Sequence, residues 1–369
     1  MKVIIAGGGT GGHIFPAIAV AEQIMSTDKN NEVLFIGTKR GMEGKLIPEK
    51  GFNIDFIRSY PILGKSVMFK LKGIFFTLVG IYESMKIFGR FKPEVVVGVG
   101  GYVSGPVVLA AFIKRIPRVI CEQNSVPGMT NRVLSYFANK VFVTFEKSMS
   151  FFDEQKTVLA GNPIQKKFNL EDLQRKKKTG NDEFKILILG GSQGAAKLNE
   201  VLPSALAEVM KKNNSGKKLT VVHQTGQRQY ESVLDAYSKE TMSAGVYKFI
   251  DNMEQYYMNA DLVIARSGAG VLAEICSVGI ASILVPFPYA THNHQYHNAK
   301  VLEDNGAALL IEEKDLNEQK LGLAVGELLN HNKLSAMAQK ARELGRPEAS
   351  KLVVENIYEL LNLKPCTDA

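Results

Sequence analysis

The sequence predicts an α/β protein made of two Rossmann-like, doubly wound domains with a cleft between them. Three observations carry this expectation. Short β-branched runs alternate with stretches of helical spacing along the chain, as parallel sheets covered on both faces require. Glycine-rich turns directly follow several of these runs. A polar, turn-rich break near the middle is followed at once by a fresh strand-glycine unit. In the first half the runs are Val3–Ala6, Val33–Gly37, Val95–Val99, Arg118–Glu122 and Lys140–Phe145. In the second half they are Lys185–Leu189, Leu219–His223, Tyr247–Ile250, Leu262–Ala265, Ser282–Val285 and Ala307–Ile311. Pro16–Met25 and Asn199–Lys211 are among the helical stretches between them. The break spans residues 161–183, from Gly161-Asn162-Pro163 through Arg175-Lys176-Lys177-Lys178. The expected domains are residues 1–162 and 163–345, and the amphipathic stretch within 346–363 is a candidate to pack back on the first.

A chain of 369 residues suits two domains. With 45% apolar and 22% charged residues it supports a large core and is not a disordered composition. The net charge of +8 is compatible with nucleic acid, anionic lipid or phosphorylated substrates. Cys121, Cys276 and Cys366 are odd in number and far apart, so neither a disulfide framework nor a zinc site is legible. The amino terminus lacks the apolar core of a signal peptide, and no apolar run reaches the ~18 residues that span a bilayer. The expectation is a cytoplasmic protein that is not integral to the membrane.

Four glycine loops follow expected strands: Gly7–His13, Gly98–Pro106, Gly190–Ala195 and Arg266–Gly270. Glycine admits positive φ and close approach of a ligand, and a following helix aims its unpaired amides at that ligand. Phosphate is the usual guest. Gly7-x-Gly9-x-x-Gly12 also fits the dinucleotide fingerprint, which wants an acid at the end of the second strand. That strand ends Phe35-Ile36-Gly37-Thr38-Lys39-Arg40, so a dehydrogenase is disfavoured. No Gly-Lys-Ser/Thr follows Gly190, which disfavours a mononucleotide loop. In the fourth loop, Glu274 falls within the expected helix, where a carboxylate can accept from two ribose hydroxyls. Gln295 and Asn298, three apart, share a helical face, either for sugar hydroxyls or as an ordinary cap.

Thr10-Gly11-Gly12-His13, Gly100–Pro106, Glu122–Gly128, Gly161-Asn162-Pro163, Gly190–Gly194 and Arg266–Ala269 occur in order over nearly the whole chain. Together they resemble the MurG family of bacterial peptidoglycan glycosyltransferases. The resemblance implies the GT-B architecture and transfer of N-acetylglucosamine from UDP-GlcNAc to lipid I, forming lipid II. It implies donor contacts from Thr10, Gly11, Gly12 and Asn124, diphosphate binding by Ser192, and backbone groups of Ile250 at the uracil. It further implies that Ala269, Gly270, Val271, Leu272, Ala273 and Glu274 hold the ribose side and that Gln295 and Asn298 hold the sugar. Gln165 stands where the family often has arginine, and His294 where it often has the first of two glutamines.

A single displacement with inversion needs a base for the acceptor hydroxyl and stabilisation of the departing UDP. His13 is the candidate base, because the positive end of the following helix disfavours imidazolium. A packing or capping histidine is the alternative. Arg266 can add charge at the diphosphate or serve the fold. No Asp-x-Asp pair follows a strand, so no obligatory metal or other cofactor is expected. The acceptor is expected at Gly100, Gly101, Tyr102 and Ser104 of the second loop.

Residues 62–92 carry Lys65, Lys70, Lys72, Lys86, Arg90 and Lys92 against the single acid Glu83, interleaved with apolar residues. This suits a face lying on anionic lipid, or a buried helix with a basic outer edge. The expected partners are UDP-GlcNAc, lipid I, the anionic inner-membrane surface and cell-wall synthesis proteins, with no nucleic acid. A UDP-sugar epimerase of the same architecture is the alternative function.

Overall fold

The computed structural model describes residues 1–60, 67–168, 183–191, 194–212, 217–240 and 242–364, except the side chains of 67–72 and 167. Ser192, Lys65, Cys366 and most of the polar break lie outside the described residues, as do the side chains of Lys70 and Lys72. The chain divides into two compact units. One is Met1–Lys166 with Pro347–Ala369, and the other is Lys167–Arg346.

The first unit contains β1 (Lys2–Ala6), β2 (Glu32–Gly37), β3 (Asn53–Phe56), β4 (Val95–Gly98), β5 (Arg118–Glu122), β6 (Lys140–Val143) and β7 (Thr157–Leu159). They form one parallel sheet in the order β3-β2-β1-β4-β5-β6-β7. The second contains β8 (Glu183–Leu189), β9 (Lys218–Gln224), β10 (Ala244–Tyr247), β11 (Leu262–Ala265), β12 (Ala281–Leu284) and β13 (Leu309–Leu310). Their order is β10-β9-β8-β11-β12-β13, again all parallel. Both are doubly wound, and the strand order reverses between β1 and β4 and between β8 and β11.

The two-sided burial follows from the alternation of side chains along each strand. Val3 and Ile5 join the core beneath helix Gly11–Thr27, whereas Ile4 and Ala6 join the core on the opposite face with Val103 and Val107. The terminal helix Ala349–Leu360 belongs to the first unit. Its Val353, Val354, Ile357 and Tyr358 pack with Ile14, Ala17 and Ile18, and the Asn31 amide donates to the Tyr358 hydroxyl at 2.8 Å.

The edges differ from expectation. The strand expected at Tyr247–Ile250 lies earlier, at Ala244–Tyr247, and β3 and β7 were not anticipated. All three are short edge or near-edge strands with half-exposed side chains, so their sequences lack the apolar run of a central strand.

Candidate functional site

Each unit brings two glycine loops to its switch point, where open α/β sheets bind ligands. In the first unit they follow β1 and β4, and they interlock. The His13 ring lies against Gly100, where a Cβ would stand 2.8 Å from its Nδ1 and Cε1. In return the Tyr102 ring covers Gly9, 3.2 Å from where its Cβ would be. Gly9, Gly100 and Gly101 have φ of +91°, +97° and +78°, and a Cβ on Gly101 would meet the Gly8 carbonyl at 2.7 Å. Thr10 caps the 17-residue helix Gly11–Thr27 without a side-chain bond, and Thr10 and Gly12 are exposed at its amino end.

Glu43, unanticipated from sequence, holds this loop from beneath. Its fully buried carboxylate accepts from the Gly9 amide, the Thr38 amide and the Thr38 hydroxyl, each at 3.0 Å. The acid sought after β2 thus exists a few residues further on, and it grips the loop's own backbone. Tyr102 joins the same network through its hydroxyl, 3.2 Å from Thr38 Oγ1.

Ser104 corrects an expectation. It is fully buried, and its hydroxyl is bonded to the Ala6 and Gly100 carbonyls and the Gly100 amide, so it braces the second loop and presents nothing to an acceptor. Glu122, at the end of β5, orders the third segment. Its buried carboxylate accepts from the Asn124 amide and side chain, the Gly128 amide and the Asn131 side chain, at 2.9–3.2 Å. Burial pushes its pKa up, against the pull of those four donors. Asn124 is half-buried and fixed by this contact.

In the second unit, Gly191 and Gly194 have positive φ, and a Cβ on Gly194 would meet the Thr225 carbonyl at 2.1 Å. Gln224, also unanticipated, stitches this loop to the segment after β10. Its amide donates to the Gly191 carbonyl at 3.2 Å and accepts from the Ile250 amide at 2.9 Å. The Ile250 N–H, one of the backbone groups expected at the uracil, is therefore engaged within the protein.

Helix Ala269–Val278 starts after β11 with Gly268 as its cap. Ala269 and Leu272 point into the core, while Gly270, Val271, Ala273 and Glu274 keep solvent access. The first two therefore have only backbone groups to give a ligand. Glu274 Oε2 accepts from the Tyr257 hydroxyl at 3.0 Å. Burial raises the Tyr257 pKa well above its usual value, so it stays a donor and fixes the carboxylate. Of the two roles open to Arg266, its contacts favour service to the fold: its guanidinium donates to the Val285 and Pro286 carbonyls at 3.1 Å and pairs with Glu313. Asn298 is completely buried on helix His294–Asp304, whereas Gln295 is partly exposed. The Gln295 oxygen accepts from the Phe287 amide at 3.0 Å, which turns its NH₂ to the other side. His292 and Asn293 before it both lie in the left-handed region, and His294 Nδ1 sits 2.8 Å from the Thr291 carbonyl. Burial pushes the Cys121 and Cys276 thiols up to about 12, so neither is a nucleophile.

Two doubly wound sheets, each with paired glycine loops at its switch point, fit the GT-B class of nucleotide-sugar glycosyltransferases. Residues 3–143 match the glycosyltransferase family 28 N-terminal domain and residues 185–353 its C-terminal domain. The chain belongs to glycosyltransferase family 28. It is 44% identical over 362 residues to the UDP-N-acetylglucosamine–N-acetylmuramyl-(pentapeptide) pyrophosphoryl-undecaprenol N-acetylglucosamine transferase of Myxococcus xanthus, covering 98% of this chain and 93% of that protein. The Thermoanaerobacter protein of the same name is 42% identical, with 98% and 99% covered. The crystal structure of Acinetobacter baumannii MurG superposes with a TM-score of 0.78 at 34% identity, over 97% of this chain and 99% of that one. A UDP-GlcNAc 2-epimerase from Neisseria meningitidis reaches a TM-score of 0.69 over 97% and 100% of the chains. At 16% identity that likeness is one of fold alone.

Proposed function

We infer that the chain transfers N-acetylglucosamine from UDP-GlcNAc to the MurNAc 4-hydroxyl of lipid I, forming lipid II and UDP. The observation that carries this reading is the division of chemistry between the units: a fixed carboxylate, Glu274, beside glycine loops in one, and a histidine, His13, between glycine loops in the other. In the reaction the acceptor oxygen attacks C1 of the sugar opposite the diphosphate. The C1–O bond to the diphosphate breaks, and UDP leaves with the electron pair. His13 takes the hydroxyl proton. Outward amides at the start of helix Ala269–Val278 stabilise the departing charge. The Glu274 carboxylate accepts from the ribose, and the Gln295 NH₂ serves the sugar. Glu274→Ala is expected to weaken UDP-GlcNAc binding by about 1.5–3 kcal/mol, or roughly ten- to a hundred-fold. Calorimetry on the folded variant checks this, and unchanged affinity removes Glu274 from the ribose.

The same reading places the protein peripherally on the cytoplasmic face of the membrane, where lipid I is tethered. Supporting it is helix Val67–Phe91, which buries Ile87 and Phe88 yet exposes Ile74, Phe75, Leu78 and Tyr82 by 52–62%. Lys86 lies 4.6 Å from the centre of the Tyr82 ring, adding positive charge at the ridge. Among the described residues no helix is long and apolar enough to cross a membrane. Phe75→Ser with Leu78→Ser is expected to lower binding to anionic vesicles roughly ten-fold or more, since each such side chain gains about 1.5–3 kcal/mol on full burial. Activity on a short-chain soluble acceptor should survive, and equal loss on both acceptors assigns the ridge to the fold.

A further inference from the structure

We propose that Gln123 is a positioning residue that locks the tautomer of His13, so that Nε2 carries the basic lone pair. This rests on the reading of His13 as the base. Gln123 follows the last residue of β5 and is 2% exposed. Its Oε1 lies 3.2 Å from His13 Nδ1, and its Nε2 donates to the Cys121 carbonyl at 3.2 Å. The second bond decides the first. Turning the amide over would set its oxygen against the Cys121 carbonyl, acceptor against acceptor, and lose the bond. The oxygen therefore faces His13, and an oxygen can only accept, so the proton sits on Nδ1. In a neutral imidazole the other nitrogen, Nε2, is then the unprotonated one.

The surroundings enforce the contact. Gly100 packs on the Nδ1 edge of the ring, and a Cβ there would stand 2.8 Å from Nδ1 and 3.5 Å from Gln123 Oε1. Glycine at this position is what lets the amide and the imidazole meet, and burial of Gln123 keeps water from substituting for it. The amide is neutral, so it orients the ring without the pull toward imidazolium that a carboxylate would exert. A histidine held this way accepts a proton at Nε2 and keeps its orientation through the Nδ1–H bond.

The test is ¹⁵N NMR of the full chain labelled at histidine, with the His13 signals identified by their loss in His13→Ala. The wild type should show a protonated Nδ1 and an unprotonated Nε2 at alkaline pH. The near-isosteric Gln123→Met should mix or reverse the tautomers and lower kcat on the order of 10²-fold, with the donor KM nearly unchanged. Gln123→Glu, which keeps an acceptor, should restore the Nδ1–H form and shift the acid limb of the kcat/KM profile to higher pH. A wild-type His13 protonated on Nε2 overturns the proposal, even if Gln123→Met does not fold. So does a folded Gln123→Met with unchanged tautomer and pH profile. A changed tautomer with normal turnover in both Gln123→Met and His13→Ala instead overturns His13 as the base and, with it, the catalytic value of the lock.

Discussion

Between neutrality and about pH 4, the fold of Lys167–Arg346 is expected to lose about 3 kcal/mol through His223 alone. This histidine on β9 is fully buried, and burial pushes its pKa from 6.5 down to about 3. Its neutral form is well served. Asn199 donates to the Thr225 carbonyl and to Gln229 Oε1, both at 2.9 Å, which turns its own oxygen toward His223 Nε2 at 3.0 Å. Nε2 therefore carries the proton, and Nδ1 accepts from the Tyr237 hydroxyl at 3.1 Å. The sign follows from proton binding. Below about pH 6.5 the unfolded chain protonates this histidine and the folded chain does not, so acid favours unfolding. The contribution is complete above 6.5, falls by about 1.4 kcal/mol per pH unit, and is exhausted near pH 3. His223→Gln has nothing to titrate at this position. Its stability deficit against the wild type, measured by urea denaturation with circular dichroism, should shrink steadily from pH 7 to 4. Parallel curves for the two proteins would trace the acid loss to other groups.

What the sequence made legible was set by how each feature is encoded. Val95-Val96-Val97 is apolar on both faces, so a central parallel strand announces itself without any partner in view. Asn53-Ile54-Asp55-Phe56 lies at the sheet edge with mixed exposure and reads locally as a loop. The glycine loops were visible because positive φ and close approach demand glycine itself. Their supports were not. Glu43 grips a residue 34 positions away, Gln224 one 26 away, and Gln123 one 110 away, and no periodicity marks such a pairing. Polar residues of the loops were legible only in part. Ser104, Arg266 and Asn298 stand in or beside ligand loops, but spacing alone does not say whether a polar side chain faces outward or braces the loop from within.

Replacing His13 by alanine is expected to lower turnover by on the order of 10²–10⁴ while leaving UDP-GlcNAc affinity nearly unchanged. The asymmetry follows from what the side chain touches. Its ring contacts Gly100 and Gln123 within the first unit, and neither residue belongs to the proposed ribose or sugar contacts of Glu274 and Gln295. His13 is the third residue of helix Gly11–Thr27 and stands in its first turn. Alanine is an excellent helix former, and the ring is only half-buried, so the fold should tolerate its loss. A drop in kcat with donor affinity held by calorimetry identifies a group that acts on the acceptor in the transition state. The acid limb of the wild-type kcat/KM profile should also disappear in the variant, because the group that titrates there has been removed. A folded His13→Ala protein that turns over lipid I at a near-normal rate would exclude His13 as the base and move the search to a carboxylate or a bound water.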